Sequence, residues 1–246
     1  MSDKKYQIYS MNDMCIPEPE DEEFKEIENL YCDFCSSERL KRIHPFIKDF
    51  KEIFGKYCKD TIIKLTPSKN VYRARIIDKE DIKKGLIGRT KLFKGYDEEN
   101  SFVPPEIKCN AGRLNYKNQV FLYTAQEGLT AIMEVRPQLN QKVSLAKIEI
   151  KKELELLNLT HLYNLKTANY KREAFVDIIS EALYTPINDD EKDKYINTQI
   201  IADIAREMGY DGIVHISSIN KGGTNYCIFN YENCKPISSE IYIPNK

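Results

Sequence analysis

Apolar residues recur at three- and four-residue intervals between Ile43 and Tyr57, a spacing that places them on one face of a helix. A shorter stretch with the same spacing surrounds Phe24 and Leu30. The pattern changes near residue 65, where short apolar runs replace the long helical stretches. The first 65 residues therefore predict a small helical unit that precedes a separate domain.

Five short runs after residue 65 are rich in β-branched or aromatic residues and predict strands at 71–76, 120–125, 143–150, 212–216 and 226–231. Amphipathic stretches predict helices at 127–135, 172–184 and 190–208. Strands at both ends of this segment, with helices between them, favour an α+β fold built on a mixed sheet. We therefore predict two units, residues 1–65 and residues 66–246.

The stretch between Lys83 and Asn110 shows no clear periodicity. It contains glycines, charged residues and the Pro104-Pro105 pair. Irregular segments of this length inside a domain are often functional. We therefore expect a long irregular insertion, of a length that often forms a functional lid.

Charge and hydropathy exclude several classes of partner. Lys and Arg number 37 while Asp and Glu number 38, so no global field attracts nucleic acid or an anionic membrane. No stretch approaches the roughly 20 apolar residues that span a bilayer, and the first residues lack a secretory signal. Seven cysteines, an odd number, favour reduced thiols over a disulfide framework. We expect a cytoplasmic protein that binds neither membranes nor nucleic acid.

Cys32 and Cys35 form a CxxC pair, which is half of a tetrahedral zinc site. Cys15, His44 and Cys58 are candidates for the remaining ligands, but a second CxxC pair is missing. The alternative is a set of reduced thiols without metal. The first unit therefore predicts a zinc site at Cys32 and Cys35 as one of two interpretations.

The spacing of Arg39 and His44 is similar to that of the arginine and histidine of HEPN ribonucleases. Leu40 is apolar where those motifs usually carry a polar residue. A surface arginine and a histidine at a helix start are the alternative. A HEPN-like unit would cleave RNA, or would contact a partner or the opposite subunit of a homo-oligomer.

Three polar residues lie inside or directly after apolar runs of the second unit. Arg73 lies mid-strand in VYRAR, where alternation puts it on the same face as Arg75. Glu134 lies in TAIMEV, where an unpaired charge would be costly. Ser217 follows the run GIVHI, at a strand end from which binding residues often project. An exposed or ion-paired acid is the alternative for Glu134. A surface arginine that bridges to a neighbouring strand is the alternative for Arg73, and it is the favoured interpretation of Arg75.

The order and character of these segments resemble the RES family, which is named for an arginine, a glutamate and a serine. The matching positions are Arg73, Glu134 and Ser217. The resemblance continues through the Tyr195-x-x-Thr198-Gln199 pattern and Asn225, and it covers roughly residues 66–235. It implies a sheet-based fold similar to ADP-ribosyltransferases, with NAD as the substrate. The implied reaction is hydrolysis or phosphorolysis of the nicotinamide–ribose bond.

The resemblance implies a role for each matching residue. Arg73 would contact the phosphates or the adjoining ribose, since a guanidinium matches a pyrophosphate. Glu134 would stabilise the positive charge that develops on the sugar as neutral nicotinamide leaves. Ser217, or Ser218 in its place, would hydrogen-bond the nicotinamide amide or its ribose and would not act as a nucleophile.

A further set of residues is implied to bind NAD: Arg113, Asn115, Tyr123, Tyr195, Gln199 and Asn225. Structural roles are the alternatives for several of them: core packing for Tyr123, a turn or loop for Asn115, and helix packing for Tyr195. His215 stands where the family often has an aromatic residue. A packed histidine and a general acid are both open at this position.

Three hypotheses about function follow. The first is an NAD glycohydrolase or phosphorylase, a toxin-like effector that depletes cellular NAD and is restrained by an antitoxin or inhibitor protein. The second is a mono-ADP-ribosyltransferase that uses the same site to modify a macromolecule. The third places function in residues 1–65, as a HEPN-like ribonuclease or a non-catalytic interaction module.

Overall fold

The computed structural model describes residues 52, 54–56, 62–160, 179, 183–184 and 195–244. Within these residues one sheet contains β1 (Ile62–Leu65), β2 (Asn70–Ile76), β3 (Leu122–Ala125), β4 (Val143–Ile150), β5 (Leu154–Asn158), β6 (Gly212–Ile216), β7 (Thr224–Ile228) and β8 (Cys234–Tyr242). Their order across the sheet is β1-β5-β6-β7-β3-β2-β4-β8. Neighbouring strands run antiparallel, except that β5 and β6 are parallel. The prediction of a mixed sheet is confirmed.

The described part of the chain also contains the α-helices α1 (Lys79–Lys83), α2 (Gly128–Glu134) and α3 (Tyr195–Glu207). Single turns of 3₁₀ helix lie at Glu106–Lys108 and Tyr231–Asn233. α2 and α3 fall within the predicted helices 127–135 and 190–208. Of the predicted helix 172–184, residues 179, 183 and 184 are described, and each is helical. The predicted α+β class is confirmed.

Both longer helices pack on one face of the sheet. Residues of α3 form a buried cluster with β5, β6 and β7, and Tyr123 of β3 packs against it. Residues of α2 form a second cluster with β2, β3 and β4 that includes Ala125. Because side chains alternate along a strand, Tyr123 and Ala125 point to the same side, so the two clusters share a face. We call this side of the sheet the helix face.

The part of the insertion that contains Tyr96 and Phe102 covers the opposite face. Phe102 packs against a buried cluster that includes Leu122, which alternates with Tyr123 and so points away from the helix face. Tyr96 is fully buried, and its N–H donates to Ser144 Oγ over 2.8 Å. This part of the insertion is therefore anchored behind the sheet and does not form the expected lid over the helix face.

The sheet extends across the predicted boundary at residue 65. β1 pairs with β5, from Ile62 opposite Leu157 to Leu65 opposite Leu154. Phe54, from the predicted helix 43–57, is fully buried in the same cluster as α3. The end of the predicted helical unit is thus packed into the sheet domain.

The segment that carries Cys32, Cys35, Arg39 and His44 lies outside the described residues. The zinc site and the HEPN-like unit therefore stay predictions. Among the residues that are described, no group of three His, Cys, Asp or Glu side chains is arranged to hold a metal ion. No helix in that same part of the chain has both the length and the apolar character needed to cross a membrane.

Gly95 provides a test of how tightly the insertion is anchored. Its N–H donates to Ser239 Oγ over 3.0 Å, and a Cβ at this position would overlap Ser144 Oγ. We expect Gly95→Ala to lower the free energy of unfolding by about 1–3 kcal/mol, because overpacking displaces these buried groups. Urea denaturation measures the change.

Gly55→Ala is the matched control, since a Cβ on this helical glycine would meet no atom of the described residues within 4 Å. It should be neutral or stabilising by up to about 1 kcal/mol, because alanine is the better helix former. Equal destabilisation by the two substitutions would contradict the packing described for Gly95.

Candidate active site

Strand pairing is shortest between β2 and β3, whose register contains the single pair Tyr72 and Ala125. Arg73 bridges the strands beyond that pair, since its Nη1 donates to the Tyr123 carbonyl over 3.1 Å. Burial is the main influence on the pKa of Arg73 and, with nearby Arg75, lowers it to about 10. The guanidinium supplies a donor to a carbonyl at the point where backbone pairing ends.

Asn225 and His215 lie on the helix face beside this break in pairing. The register places Ala125 opposite Asn225 and Asn225 opposite His215, and directly opposite residues share a face. Tyr72 shares the face of Ala125 for the same reason. Arg73 alternates with Tyr72 along β2, so its side chain starts from the other face of the sheet.

Glu134 is the last residue of α2, and its carboxylate collects donors from two neighbouring strands. Its Oε1 accepts a hydrogen bond of 2.6 Å from Ser217 Oγ, just after β6, and another of 2.6 Å from Asn225 Nδ2 in β7. Charge-assisted hydrogen bonds of this length are stronger than those between neutral groups. We call these three residues the Glu134 cluster. Two residues implied to be catalytic and one implied to bind NAD are thus brought together.

Ser217 uses its whole hydrogen-bonding capacity in holding Glu134. Its single proton goes to the carboxylate, while its oxygen accepts from the N–H groups of Ile219 and Asn220 over 3.2 and 2.9 Å. The side chain is buried, at 3% exposure, so it positions the acid. Ser217, and not Ser218, is the serine of the cluster, and its contact with the carboxylate differs from the implied contact with nicotinamide.

The loop that follows Ser217 is fastened to α2 by Asn220, a residue that sequence reasoning missed. Its Nδ2 donates to Thr130 Oγ1 over 2.8 Å, and Gly223 approaches Thr130 so closely that a Cβ would overlap it. Thr130 is fully buried in α2. The pair of glycines at 222 and 223 is a sequence signal for a tight loop, but nothing local connects that loop with a helix far away in the chain.

Asn225 presents an unused acceptor inside the site. Its Nδ2 is committed to Glu134, while its Oδ1 is buried without a hydrogen-bond partner in the described structure. The amide orientation follows from the carboxylate, which can only accept. A buried acceptor without a donor costs about 1–3 kcal/mol, so this oxygen is suited to a donor group on a bound molecule.

His215 is half-buried near the two charged groups of the site. Its Nδ1 lies 3.0 Å from the carbonyl of Ile216, and a carbonyl can only accept, so the contact assigns the proton to Nδ1. Burial is the largest influence on the pKa of His215 and lowers it, and Arg113 acts in the same direction. The Ile216 carbonyl and Glu134 oppose that shift. The ring therefore favours the neutral form, with Nε2 as an acceptor.

Several residues implied to bind NAD instead support one tight turn, Gly112–Asn115, closed by a 2.9 Å bond from the Gly112 N–H to the Asn115 carbonyl. The Tyr123 hydroxyl accepts from the Leu114 N–H over 3.0 Å and donates to Asn115 Oδ1 over 2.8 Å. Gln199 Nε2 donates to the carbonyls of Gly112 and Asn115, each over 2.9 Å. We call this segment the braced turn.

The Asn115 side chain holds the loop that follows the braced turn. Its Nδ2 lies within 2.9–3.0 Å of the carbonyls of Asn110, Tyr116 and Gln119, and its Oδ1 accepts from Tyr123. Both polar atoms of its side chain are engaged, and the residue is 2% exposed. Asn115 therefore makes the contacts expected of a residue that holds a loop. The partner tyrosine is buried too, and burial raises the pKa of Tyr123 well above its ordinary value.

The braced turn presents Arg113 towards the Glu134 cluster. Thr198 donates to the Arg113 carbonyl, and the guanidinium donates to the Leu183 carbonyl over 2.6 Å. The guanidinium carbon lies 6.0 Å from the centre of the Tyr195 ring. Burial lowers the pKa of Arg113, while Tyr195 and Glu134 oppose the shift. Arg113 is thus close enough to Glu134 for the two charges to interact.

Comparisons with known proteins place these residues in context. A family model described as the RES domain matches residues 89–244, a stretch that contains Arg113, Glu134 and Ser217 but begins after Arg73. Curated protein sequences give no match to the chain. Among solved structures, the crystal structure of the M. tuberculosis MbcT-MbcA toxin-antitoxin complex contains a similar chain, with 17% sequence identity and a TM-score of 0.43. The alignment covers 77% of this chain and 91% of that chain.

The Tyr123 hydroxyl provides a test of the braced turn. We expect Tyr123→Phe to lower the free energy of unfolding by about 1–3 kcal/mol, because the Leu114 N–H and Asn115 Oδ1 both lose a buried partner. Chemical denaturation measures the loss. Tyr226→Phe is the control, since that buried tyrosine contacts the exposed Gln126 through a 3.2 Å bond. A control loss as large as the test loss would contradict the bracing role.

Proposed function

The chain belongs to the RES domain family, and on this premise we propose that it is an enzyme that breaks the nicotinamide–ribose bond of NAD, with water or phosphate as the acceptor. The observation that carries the proposal is the carboxylate of Glu134, held by Ser217 and Asn225 on the helix face. The substrate itself follows from the RES resemblance. The geometry supports the chemistry that this substrate requires.

The reaction needs a fixed negative charge beside the ribose. Departure of neutral nicotinamide leaves positive charge on C1′ and the ring oxygen, and a preorganised carboxylate stabilises that charge without reorganising at the moment of reaction. Both hydrogen bonds to Glu134 go to Oε1, and Oε2 has no donor among the described residues. Oε2 is therefore the oxygen that we assign to the sugar.

Asn225 fits the substrate through its unpartnered Oδ1. The ribose hydroxyls and the carboxamide nitrogen of NAD are donors, and either would satisfy this buried acceptor. Occupation by a substrate donor would also fix Asn225 Nδ2 on Glu134. Binding and orientation of the acid would then depend on one side chain.

Arg113 is a better candidate than Arg73 for the phosphates of NAD. Its charge interacts with Glu134, whereas Arg73 starts from the opposite face and donates to the Tyr123 carbonyl. The family match also includes Arg113 and begins after Arg73. We propose that Arg113 contacts the pyrophosphate, with the Tyr195 ring beside it, and that Arg73 maintains the strand junction.

The remaining residues of the implied NAD-binding set act indirectly in this proposal. Gln199, Asn115 and Tyr123 hold the braced turn, and so they position Arg113. Ser217 positions Glu134. Control of such an enzyme by an antitoxin or inhibitor protein is implied by the family resemblance and stays a prediction.

Glu134→Gln tests the central role of the carboxylate. Glutamine keeps an oxygen that accepts from Ser217 and Asn225 but removes the charge, so we expect nicotinamide release from NAD to fall at least about 100-fold. Glu127→Gln, at the exposed N-cap of the same helix, is the control and should stay within about 2-fold, because surface charges there are screened. Full activity of Glu134→Gln would remove the mechanism.

The same assay, run with labelled NAD, separates the hypotheses about the acceptor. Free ADP-ribose indicates hydrolysis, ADP-ribose 1-phosphate indicates phosphorolysis, and label on a protein or nucleic acid indicates ADP-ribosyl transfer. RNA cleavage that persists in Glu134→Gln and is lost in His44→Ala would instead favour the HEPN-like hypothesis.

Substitution of each arginine by lysine tests which one contacts NAD. We expect Arg113→Lys to raise KM at least about 10-fold, because lysine cannot replace a bidentate guanidinium. We expect Arg73→Lys to change KM by less than about 3-fold but to lower the free energy of unfolding by about 1–3 kcal/mol, since the Tyr123 carbonyl loses its donor. Steady-state kinetics and urea denaturation measure the two effects. A large rise in KM for Arg73→Lys, with little change in KM for Arg113→Lys, would instead assign the phosphates to Arg73.

A further inference from the structure

His215 is a titratable group on the helix face that the proposed mechanism leaves unused. It lies opposite Asn225 in the register of β6 and β7, two positions before Ser217. The 3.0 Å contact between Nδ1 and the Ile216 carbonyl fixes the ring through its own backbone and leaves Nε2 as the acceptor. Such a histidine is prepared to receive a proton and not to donate one.

The groups around His215 come from several elements. Arg113 of the braced turn and Glu134 of α2 are both close enough to affect its pKa. α3 also packs on β6, but its Tyr195 lies beside Arg113 and its Asp203 accepts a 3.1 Å hydrogen bond from Tyr116. The balance of burial and Arg113 against Glu134 lowers the pKa of His215.

We propose that His215 is the general base that accepts the proton of the attacking water when this site hydrolyses NAD. The inference rests on the proposed function and assigns the acceptor to water. The C1′–nitrogen bond breaks with its electron pair going to nicotinamide, and the water oxygen bonds to C1′. One water proton passes to His215 Nε2 and then to solvent. The products are nicotinamide, ADP-ribose and one proton.

The chemistry of the other groups favours this assignment. Nicotinamide leaves as a neutral molecule, so the leaving group needs no acid. Glu134 would lose its stabilising charge if it took the proton. Ser217 has committed its hydrogen to Glu134 and its oxygen to two N–H donors. Among these residues, the neutral imidazole remains as a base whose protonation does not remove the charge beside the sugar.

His215→Asn tests the inference in the full-length protein. Asparagine can keep a donor near the Ile216 carbonyl but removes the position of Nε2. We expect nicotinamide release in phosphate-free buffer to fall about 100-fold, within the range for loss of a general base. The wild-type rate should fall as the pH drops through the lowered pKa of His215, because protonation removes the base, and this acidic limb should be absent from the variant.

The rate with inorganic phosphate as the acceptor distinguishes a general base from a residue with a merely structural role. The phosphate dianion attacks through an oxygen that carries no proton, so it needs no base. Phosphate should therefore restore the variant to within about 10-fold of the wild-type rate under the same conditions, if the site admits it as an acceptor. If phosphate does not accelerate the wild-type enzyme, loss of the acidic limb decides the question alone.

Each other outcome overturns a defined part of the proposal. Three outcomes would refute the general base: unchanged hydrolysis in His215→Asn, the wild-type acidic limb persisting at the same pH in the variant, or equal losses with water and with an active phosphate acceptor. His215→Phe, which keeps a ring, replaces the asparagine variant if that variant does not fold, and the same criteria apply. Absence of nicotinamide release from the wild-type protein at every pH would instead refute the proposed function.

Discussion

A single carboxylate oxygen, Glu134 Oε1, joins three elements that are distant in the chain. Ser217 follows β6, Asn225 belongs to β7 and Glu134 ends α2, so the two 2.6 Å hydrogen bonds hold the end of the helix against the strands beneath it. The contact between Asn220 and Thr130 holds the same helix one turn earlier. Because the acid is fixed from two directions, its orientation is set before any substrate binds, and the cost of organising the site is met by folding.

Arg113 is positioned by a second hydrogen-bond network, separate from the Glu134 cluster. The braced turn is held by Tyr123 from the sheet and by Thr198 and Gln199 from α3. These side chains donate to or accept from backbone groups of the turn. Buried N–H and C=O groups of the turn therefore have hydrogen-bond partners that apolar packing could not supply. Tyr123, Asn115 and Gln199, which sequence reasoning assigned to the ligand, thus contact the protein itself, and in the proposed function they act by positioning Arg113.

Much of the sheet could be predicted because its strands carry a strong local signal. The observed bounds of β4 and β6 agree with the predicted runs 143–150 and 212–216, whereas β1, β5 and β8 were missed. β5 reads LELLN, and β8 contains Pro236 and two serines, so neither run has a clear period. Alternation in VYRAR showed that Arg73 and Arg75 share a face, but the choice of face depends on pairing with Ala125. The contact of Ser217 with Glu134 spans 83 residues, and no local pattern contains it.

The position of β7 has a consequence for how the molecule is made. This strand lies between β6 and β3 near the middle of the sheet, although it comes late in the chain, at Thr224–Ile228. Contacts between distant segments form slowly, because the loops that join them must close first. During synthesis, Glu134 leaves the ribosome long before Asn225, and α2 has no strand to receive its carboxylate. A nascent or shortened chain that has not reached β7 therefore lacks the Glu134 cluster.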